Sequence, residues 1–179
     1  MRFKVKGLGV DSVENELEVW LAQMDPVDAE VEAARQRIGR LARQFNRVLE
    51  RAANENGLSL ADWEALSVIE RAGGTCRPSL LMDQLGLTSG TVSVRIARLT
   101  EAGLVEPVAG ADGRSRPVRL TTAGRRRWRR ATATRTAIEA ELFGALAPAQ
   151  LTRLNPLLAR LLASFEDEFG VAPRHDRTG

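Results

Sequence analysis

The chain is expected to be mainly α-helical with a small β-hairpin, an α+β arrangement. Three observations predict this. Apolar residues recur at helical spacing through most of the 179 residues. Two short β-prone runs, Leu104–Val108 and Val118–Thr121, flank one Gly- and Arg-rich turn. Directly upstream lie a short apolar segment ending at Gly86 and a longer amphipathic one, Thr88–Ala102. Helix, turn, helix and hairpin in that order describe a winged helix-turn-helix, which sets its second helix in the major groove of DNA.

Residues 1–10 have no clear period and read as a mobile lead. From Asp11 to Met24, Val13, Leu17 and Trp20–Leu21 fall on one helical stripe; Asp11 or Ser12 caps it and Pro26 breaks it. This helix is expected to pack through Trp20. Val27–Asn56 is a long amphipathic helix with Ile38, Leu41, Phe45, Val48 and Leu49 inward, ended by Asn56-Gly57. Ser59 opens a helix to Arg71 with Trp63, Leu66 and Ile69 inward, closed by Gly73-Gly74. Pro78 sits in the first turn of a helix reaching Leu85, where its missing donor costs little. Leu85 and Leu87 pack the next bend, which Gly86 permits.

In the second helix of the motif, Val92, Ile96 and Leu99 fall at i, i+4 and i+7 and form the inner face, with Thr88 or Ser89 as cap. The opposite face carries Ser89, Gly90, Ser93, Val94 and Arg95, with Thr91 and Arg98 beside them, and no carboxylate before Glu101. Short hydroxyl side chains approach base edges closely, and Val94 suits a thymine methyl. In the hairpin, Ala109 to Gly113 is turn chemistry. Arg114 and Arg116 stand at its tip and Arg119 on the return strand. Arginines there suit the negative potential of a narrow minor groove. Asp112 is placed to hold the Arg114 guanidinium. The plainer alternative is a solvated helix face beside an exposed basic loop.

After Thr121 a long helix carries Arg125, Arg126, Arg127, Arg129 and Arg130, placed either to touch phosphates or to form a solvated face. It turns apolar at Ile138, Leu142, Phe143 and Leu146. Pro148 starts the last helix, whose apolar face runs from Leu151 to Phe169 and which Pro156 is expected to kink or split. An apolar arm this broad needs the long N-terminal helix or a second chain to cover it. The segment 173–179 reads as a frayed tail holding the single His, His175.

Net charge is only +3, but it is unevenly spread. Asp11 to Glu32 holds eight carboxylates and no Lys or Arg; Arg114 to Arg130 holds eight arginines and no carboxylate. A partner with dense negative charge is implied at the chain's centre, and nucleic acid is the simplest. The single Cys excludes an internal disulfide framework. No run approaches a membrane span and no apolar leader stands at the start, so a cytoplasmic protein is expected. One His and one Cys leave no His-based dyad and no zinc set, and no phosphate-cradling or dinucleotide glycine pattern occurs. The carboxylates read as lying on exposed helical faces. The chain is not expected to be an enzyme or to hold a cofactor or metal.

Two stretches resemble one family. Asp112-Gly113-Arg114-Ser115 followed by Val118-Arg119-Leu120-Thr121-Thr122-Ala123-Gly124 is similar to the wing signature of the MarR family of regulators, and LTSGTVSVRIARLTEAGLV (87–105) looks like its recognition segment. The resemblance implies a single domain over 1–179, with 11–57 and 138–170 as a helical dimerisation region around a winged helix-turn-helix at 58–124. It further implies a homodimeric transcription regulator, a repressor or activator, often released by a small molecule. Two recognition helices related by a twofold axis would sit about one DNA turn apart, on a pseudo-palindromic site.

Trp20 on an added N-terminal helix is similar to a urate-responsive subgroup of that family. By that resemblance Trp20, Glu64 and Arg95 would share a pocket for an anionic aromatic ligand, with Glu64 paired to Arg95. The subgroup carries Asp where Glu64 stands, and its Pro-Met start to the long helix is missing. Cys76 reads as a loop residue whose pKa Arg77 would lower slightly, and a redox-sensor role is its functional alternative. The competing function for the whole chain is a non-specific architectural DNA binder, followed by a winged helix that binds only protein.

Overall fold

The computed structural model describes residues 11–109 and 116–171. The expected lead, the hairpin tip with Asp112 and Arg114, and the tail with His175 lie outside the described residues. In chain order the elements are α1 (Glu14–Leu21), α2 (Ala29–Glu55), α3 (Leu60–Arg71), β1 (Thr75–Cys76), α4 (Pro78–Leu85), α5 (Ser89–Glu101), β2 (Val105–Pro107), β3 (Val118–Leu120), α6 (Thr122–Phe143) and α7 (Pro148–Phe169).

The core belongs to the centre of the chain. Leu66 and Ile69 of α3, Leu81 and Leu85 of α4, Val92 and Leu99 of α5, and Val105, Val118 and Leu120 of the strands form one buried cluster. Each such side chain contributes about 1.5–3 kcal/mol by leaving water. Ser59 opens α3 with a capping box closed by Asp62, and Thr88 caps α5. The bend between α4 and α5 turns on Gly86, in the left-handed region at φ 63°, which glycine adopts without a Cβ penalty. Leu85 is buried and Leu87 packs against the cluster, as their flanking positions predict.

The sheet has three strands, ordered β1-β3-β2 and all antiparallel. β1 is additional to the two strands expected. It pairs Thr75 with Arg119 and Cys76 with Val118, so Cys76 lies in a strand rather than a loop. Two residues are too few to carry a periodic signal. Across the hairpin, Glu106 faces Arg119 and the two form an ion pair of 2.7 Å.

Tryptophans fasten α6 to α3. Trp63 Nε1 donates to Thr132 Oγ1 at 3.1 Å, and Trp128 Nε1 donates to Ser67 Oγ at 2.7 Å. Ser67 is fully buried and donates in turn to the Trp63 carbonyl, so the hydroxyl has both a donor and an acceptor role filled.

Several expectations are corrected outside this core. α1 is shorter than Asp11–Met24. Asp11 accepts from the Val13 and Glu14 amides at its start; Val13, which precedes the helix, is buried, whereas no residue of α1 itself is and Trp20 stays 45% exposed. The indole has an N–H to satisfy, and it turns to Glu32 on α2 instead of entering the core. On α2, Ile38, Leu41 and Phe45 are exposed within one chain, and only Val48 and Leu49 are half-buried. α7 runs unbroken through Pro156; proline removes a single donor while the turns on either side keep theirs. No residue of α7 is buried. Its Leu158, Leu161, Leu162, Phe165 and Phe169 stand exposed. Among the described residues no helix is long and apolar enough to cross a membrane.

Candidate nucleic-acid interface

α5 presents the face that its sequence predicts. Val92 and Leu99 are buried and Ile96 is half-buried, which turns Ser89, Gly90, Thr91, Ser93, Val94 and Arg98 outward. Val94 is 71% exposed. Ser93 donates to the Ser89 carbonyl at 2.8 Å and the Thr88 and Thr91 hydroxyls lie 2.9 Å apart. These bonds fix the hydroxyl positions and leave lone pairs free to accept. No acid lies on this face.

Arg95 is half-buried. Burial pulls its guanidinium below the usual value, and the charge of Glu64 pushes it back up. A direct tie lies one helical turn further along. Arg98 donates to Asp62 Oδ1, within reach of Ser59 as well, so the recognition helix is held by the capping box of α3.

Trp20 lies in a groove between α1 and α2, lined also by Arg35, Gln36, Gly39, Arg40 and Arg43; Glu64 and Arg95 are not among its lining residues. Glu32, beside this groove, corrects the expectation that the carboxylates are all exposed. It is 6% exposed and accepts from Arg35, Gln36 and the Trp20 indole. Led by the Arg35 hydrogen bonds, these contacts hold its carboxyl down at about 2.

The arginines beyond the wing divide into two sets. Arg125 bonds Glu70 at 3.0 Å and Arg129 reaches its other oxygen at 3.8 Å, so these two are structural anchors rather than free phosphate ligands. Arg126, Arg127 and Arg130 point outward. Arg119 is engaged by Glu106, and Arg116 is exposed. Cys76 is buried, and burial pushes its thiol up to about 11. Desolvation outweighs any help from Arg77, which removes the basis for a thiolate sensor. Among the described residues no group of His, Cys, Asp and Glu has the arrangement of a metal site.

A helix with an exposed acid-free face, held at its far end by an ion pair and followed by an antiparallel hairpin, defines a winged helix-turn-helix fold. Residues 56–115 match the model of the MarR family, a segment that runs from α3 through β2. The fold as a whole is shared with YusO from Bacillus subtilis at a TM-score of 0.66 and 17% identity, covering 78% of this chain and 99% of that one. A mutant of MarR from E. coli in complex with operator DNA matches at 0.58 and 22%, covering 77% and 99%. The ligand-free organohalide-sensing regulator RdhR matches at 0.62 and 13%, covering 96% of this chain and 98% of that one. Its 2,4-dichlorophenol-bound form matches at 0.60 and 13%, covering 90% and 89%. No curated protein sequence matches the chain.

Proposed function

We propose that the chain is a homodimeric, sequence-specific repressor that binds a pseudo-palindromic operator. The recognition helix α5 enters the major groove with Ser89, Gly90, Thr91, Ser93, Val94, Arg95 and Arg98, and the wing brings Arg114 and Arg116 to the minor groove. The observation that carries this reading is the outward face of α5. It is small, hydroxyl-rich and free of acids, and it holds an aliphatic residue 71% exposed. Val94 gives that acid-free face an aliphatic group suited to a thymine methyl.

The partner for dimerisation is a second copy. The apolar faces of α2 and α7, with Ile38, Leu41, Leu158, Leu161 and Phe165 exposed, make residues 11–57 and 138–170 the pairing region around a DNA-binding part at 58–124. Release by a small anionic aromatic ligand is the regulatory half of the proposal. The 2,4-dichlorophenol complex of RdhR supports the ligand class. Such a ligand would stack on Trp20, among the arginines of the α1–α2 groove, and act on Glu64 and Arg95 at a distance.

Footprinting and a gel shift on the protein's own upstream DNA, with sedimentation in parallel, test the whole reading. The expected result is a dimer that protects one pseudo-palindrome and leaves it in the presence of phenolic or purine acids. A monomer that ignores that DNA at low salt overturns it. Equal affinity for every duplex would favour an architectural DNA binder instead.

A further inference from the structure

Five of the six residues from Arg125 to Arg130 are arginine, in the first turns of α6. The structure accounts for two of them, Arg125 and Arg129, through Glu70. Trp128, bonded to Ser67, sets the rotation of the helix. That rotation leaves Arg126, Arg127 and Arg130 on the outside, where all three line a depression beside the end of α2 and Arg126 and Arg130 line a second one along α6. The only acid in either lining is Glu55, and its carboxylate already bonds Arg51 at 2.8 Å. Among the described residues these three arginines have no ion-pair partner.

Stability does not explain them. Arg130 stands four residues from Arg126 and three from Arg127, spacings at which like charges on a helix repel. Charge placed against that repulsion calls for an outside anion, and an extended one. Arg126 and Arg130 are separated by about 6 Å along the axis at 1.5 Å per residue, commensurate with strand phosphates that rise about 3.4 Å each.

The patch is also continuous with the recognition helix. An added Cβ at Gly57 would meet Arg127 Nη1 at 3.8 Å, and two residues on, Ser59 Oγ lies 3.5 Å from Arg98 Nη2. Two residues of extended chain span about 7 Å at most, so the guanidinia of Arg127 and Arg98 flank one short turn.

We infer that Arg126, Arg127 and Arg130 form a second phosphate-binding surface, which holds the sugar–phosphate backbone of the duplex flanking the half-site read by α5. This rests on the operator-binding reading above. It lengthens the footprint without adding sequence information.

The test compares the full-length protein with its Arg126→Ser/Arg127→Ser/Arg130→Ser variant on two duplexes. One is trimmed to the footprinted half-sites; the other extends about one helical turn, ~10 bp, beyond each end. Wild type is expected to bind the longer duplex about tenfold more tightly than the shorter. The variant is expected to lose that advantage and to bind the short duplex as wild type does. On the long duplex its slope of log K against log salt should fall by about 0.9 per lost phosphate contact. A variant whose length dependence and salt slope equal those of wild type overturns the inference, as does a patch that instead captures a peptide of the acidic segment 11–32. Failure of wild type to footprint any duplex would sink the operator reading itself, a separate outcome. A matching thermal melt for the variant rules out unfolding as the cause.

Discussion

Arg98 of the recognition helix donates to Asp62, and the second oxygen of the same carboxylate closes the cap of α3, accepting from the Ser59 hydroxyl at 2.7 Å and its amide at 3.2 Å. One side chain thus both starts a scaffold helix and holds the helix proposed to read DNA. Arg98 is half exposed, so the pair itself contributes no more than about 1 kcal/mol. Its weight lies in orientation. Asp62→Ala is expected to destabilise the fold by about 1 kcal/mol or slightly more through loss of the cap. Asp62→Asn keeps a good capping oxygen and loses only the charge, so its melt should stay close to wild type while operator affinity falls several-fold. Unchanged affinity in Asp62→Asn would remove Asp62 from any role in positioning α5.

Base readout and backbone grip separate by mutation. Val94→Ala and Ser93→Ala are expected to weaken binding to the operator by about 1–3 kcal/mol per lost base contact and to leave binding to unrelated duplex unchanged. Arg116→Ala should weaken both by a similar factor and lower the salt slope by about 0.9. Competition gel shifts at several salt concentrations read both quantities. Equal losses on both DNAs for Val94→Ala would mean that α5 does not read sequence.

Cys76 is expected to be chemically quiet. With its thiol raised to about 11 by burial, about one molecule in ten thousand carries the thiolate at pH 7. A thiol reagent should label it only after unfolding, and peroxide should leave DNA binding intact. Its folded value lies above the unfolded value of 9.0, so the unfolded chain loses the proton first as pH rises. The stability tied to the neutral thiol is therefore full below pH 9 and is lost from there through about 11, amounting to ~2–3 kcal/mol at 1.36 kcal/mol per unit. Cys76→Ala should flatten that alkaline limb in urea titrations.

How much of this was legible in the residues varies with the reach of the interaction. Period and punctuation reveal α2 to α6 and the bend at Gly86, because those signals are local. The outward face of α5 follows from the same period. The tether between Asp62 and Arg98 is not readable beside the expected Glu64 and Arg95. Two positions on α3 and three on α5 separate these choices, and no local pattern distinguishes them. Trp20 counted as apolar in the stripe, but its N–H found a buried carboxylate that an acidic run gives no reason to suspect. Burial of that carboxylate depends on Arg35 and Gln36, one turn along the same helix.

That carboxylate makes α1 acid-sensitive. The Arg35 hydrogen bonds hold Glu32 at about 2 against an ordinary value of 4.5. Because the folded value is the lower one, its stabilising contribution is present above pH 4.5 and is lost as pH falls through about 2. The emission of Trp20, read as the difference between wild type and Trp20→Phe, is expected to shift across that window. Glu32→Gln should abolish the shift and make the 22–28 connection more susceptible to protease at pH 7. A flat Trp20 signal down to pH 2 would detach the indole from Glu32.

Gly124 closes the stretch that resembles the MarR wing signature, and the structure supplies its reason. A Cβ at this position would stand 1.9 Å from the Leu104 carbonyl oxygen and 2.8 Å from its carbon. These are backbone atoms at the entry to β2, and they cannot swing aside as a side chain would. The same junction is pinned by Thr121, whose amide donates to the Leu104 carbonyl at 3.1 Å and whose hydroxyl donates to the Gly103 carbonyl at 2.7 Å and accepts from the Gly124 amide at 2.9 Å. Gly124→Ala must therefore move α6 away from the wing, at a cost of about 3 kcal/mol, the upper end for overpacking. Gly90→Ala is the control. Nothing lies within 4 Å of its added Cβ, so alanine there should stabilise α5 by up to about 1 kcal/mol, while its methyl group on the reading face weakens DNA binding. Urea unfolding measures the first pair of effects and gel shift the last. A Gly124→Ala protein with a wild-type urea midpoint would show that α6 does not need its close seat on β2.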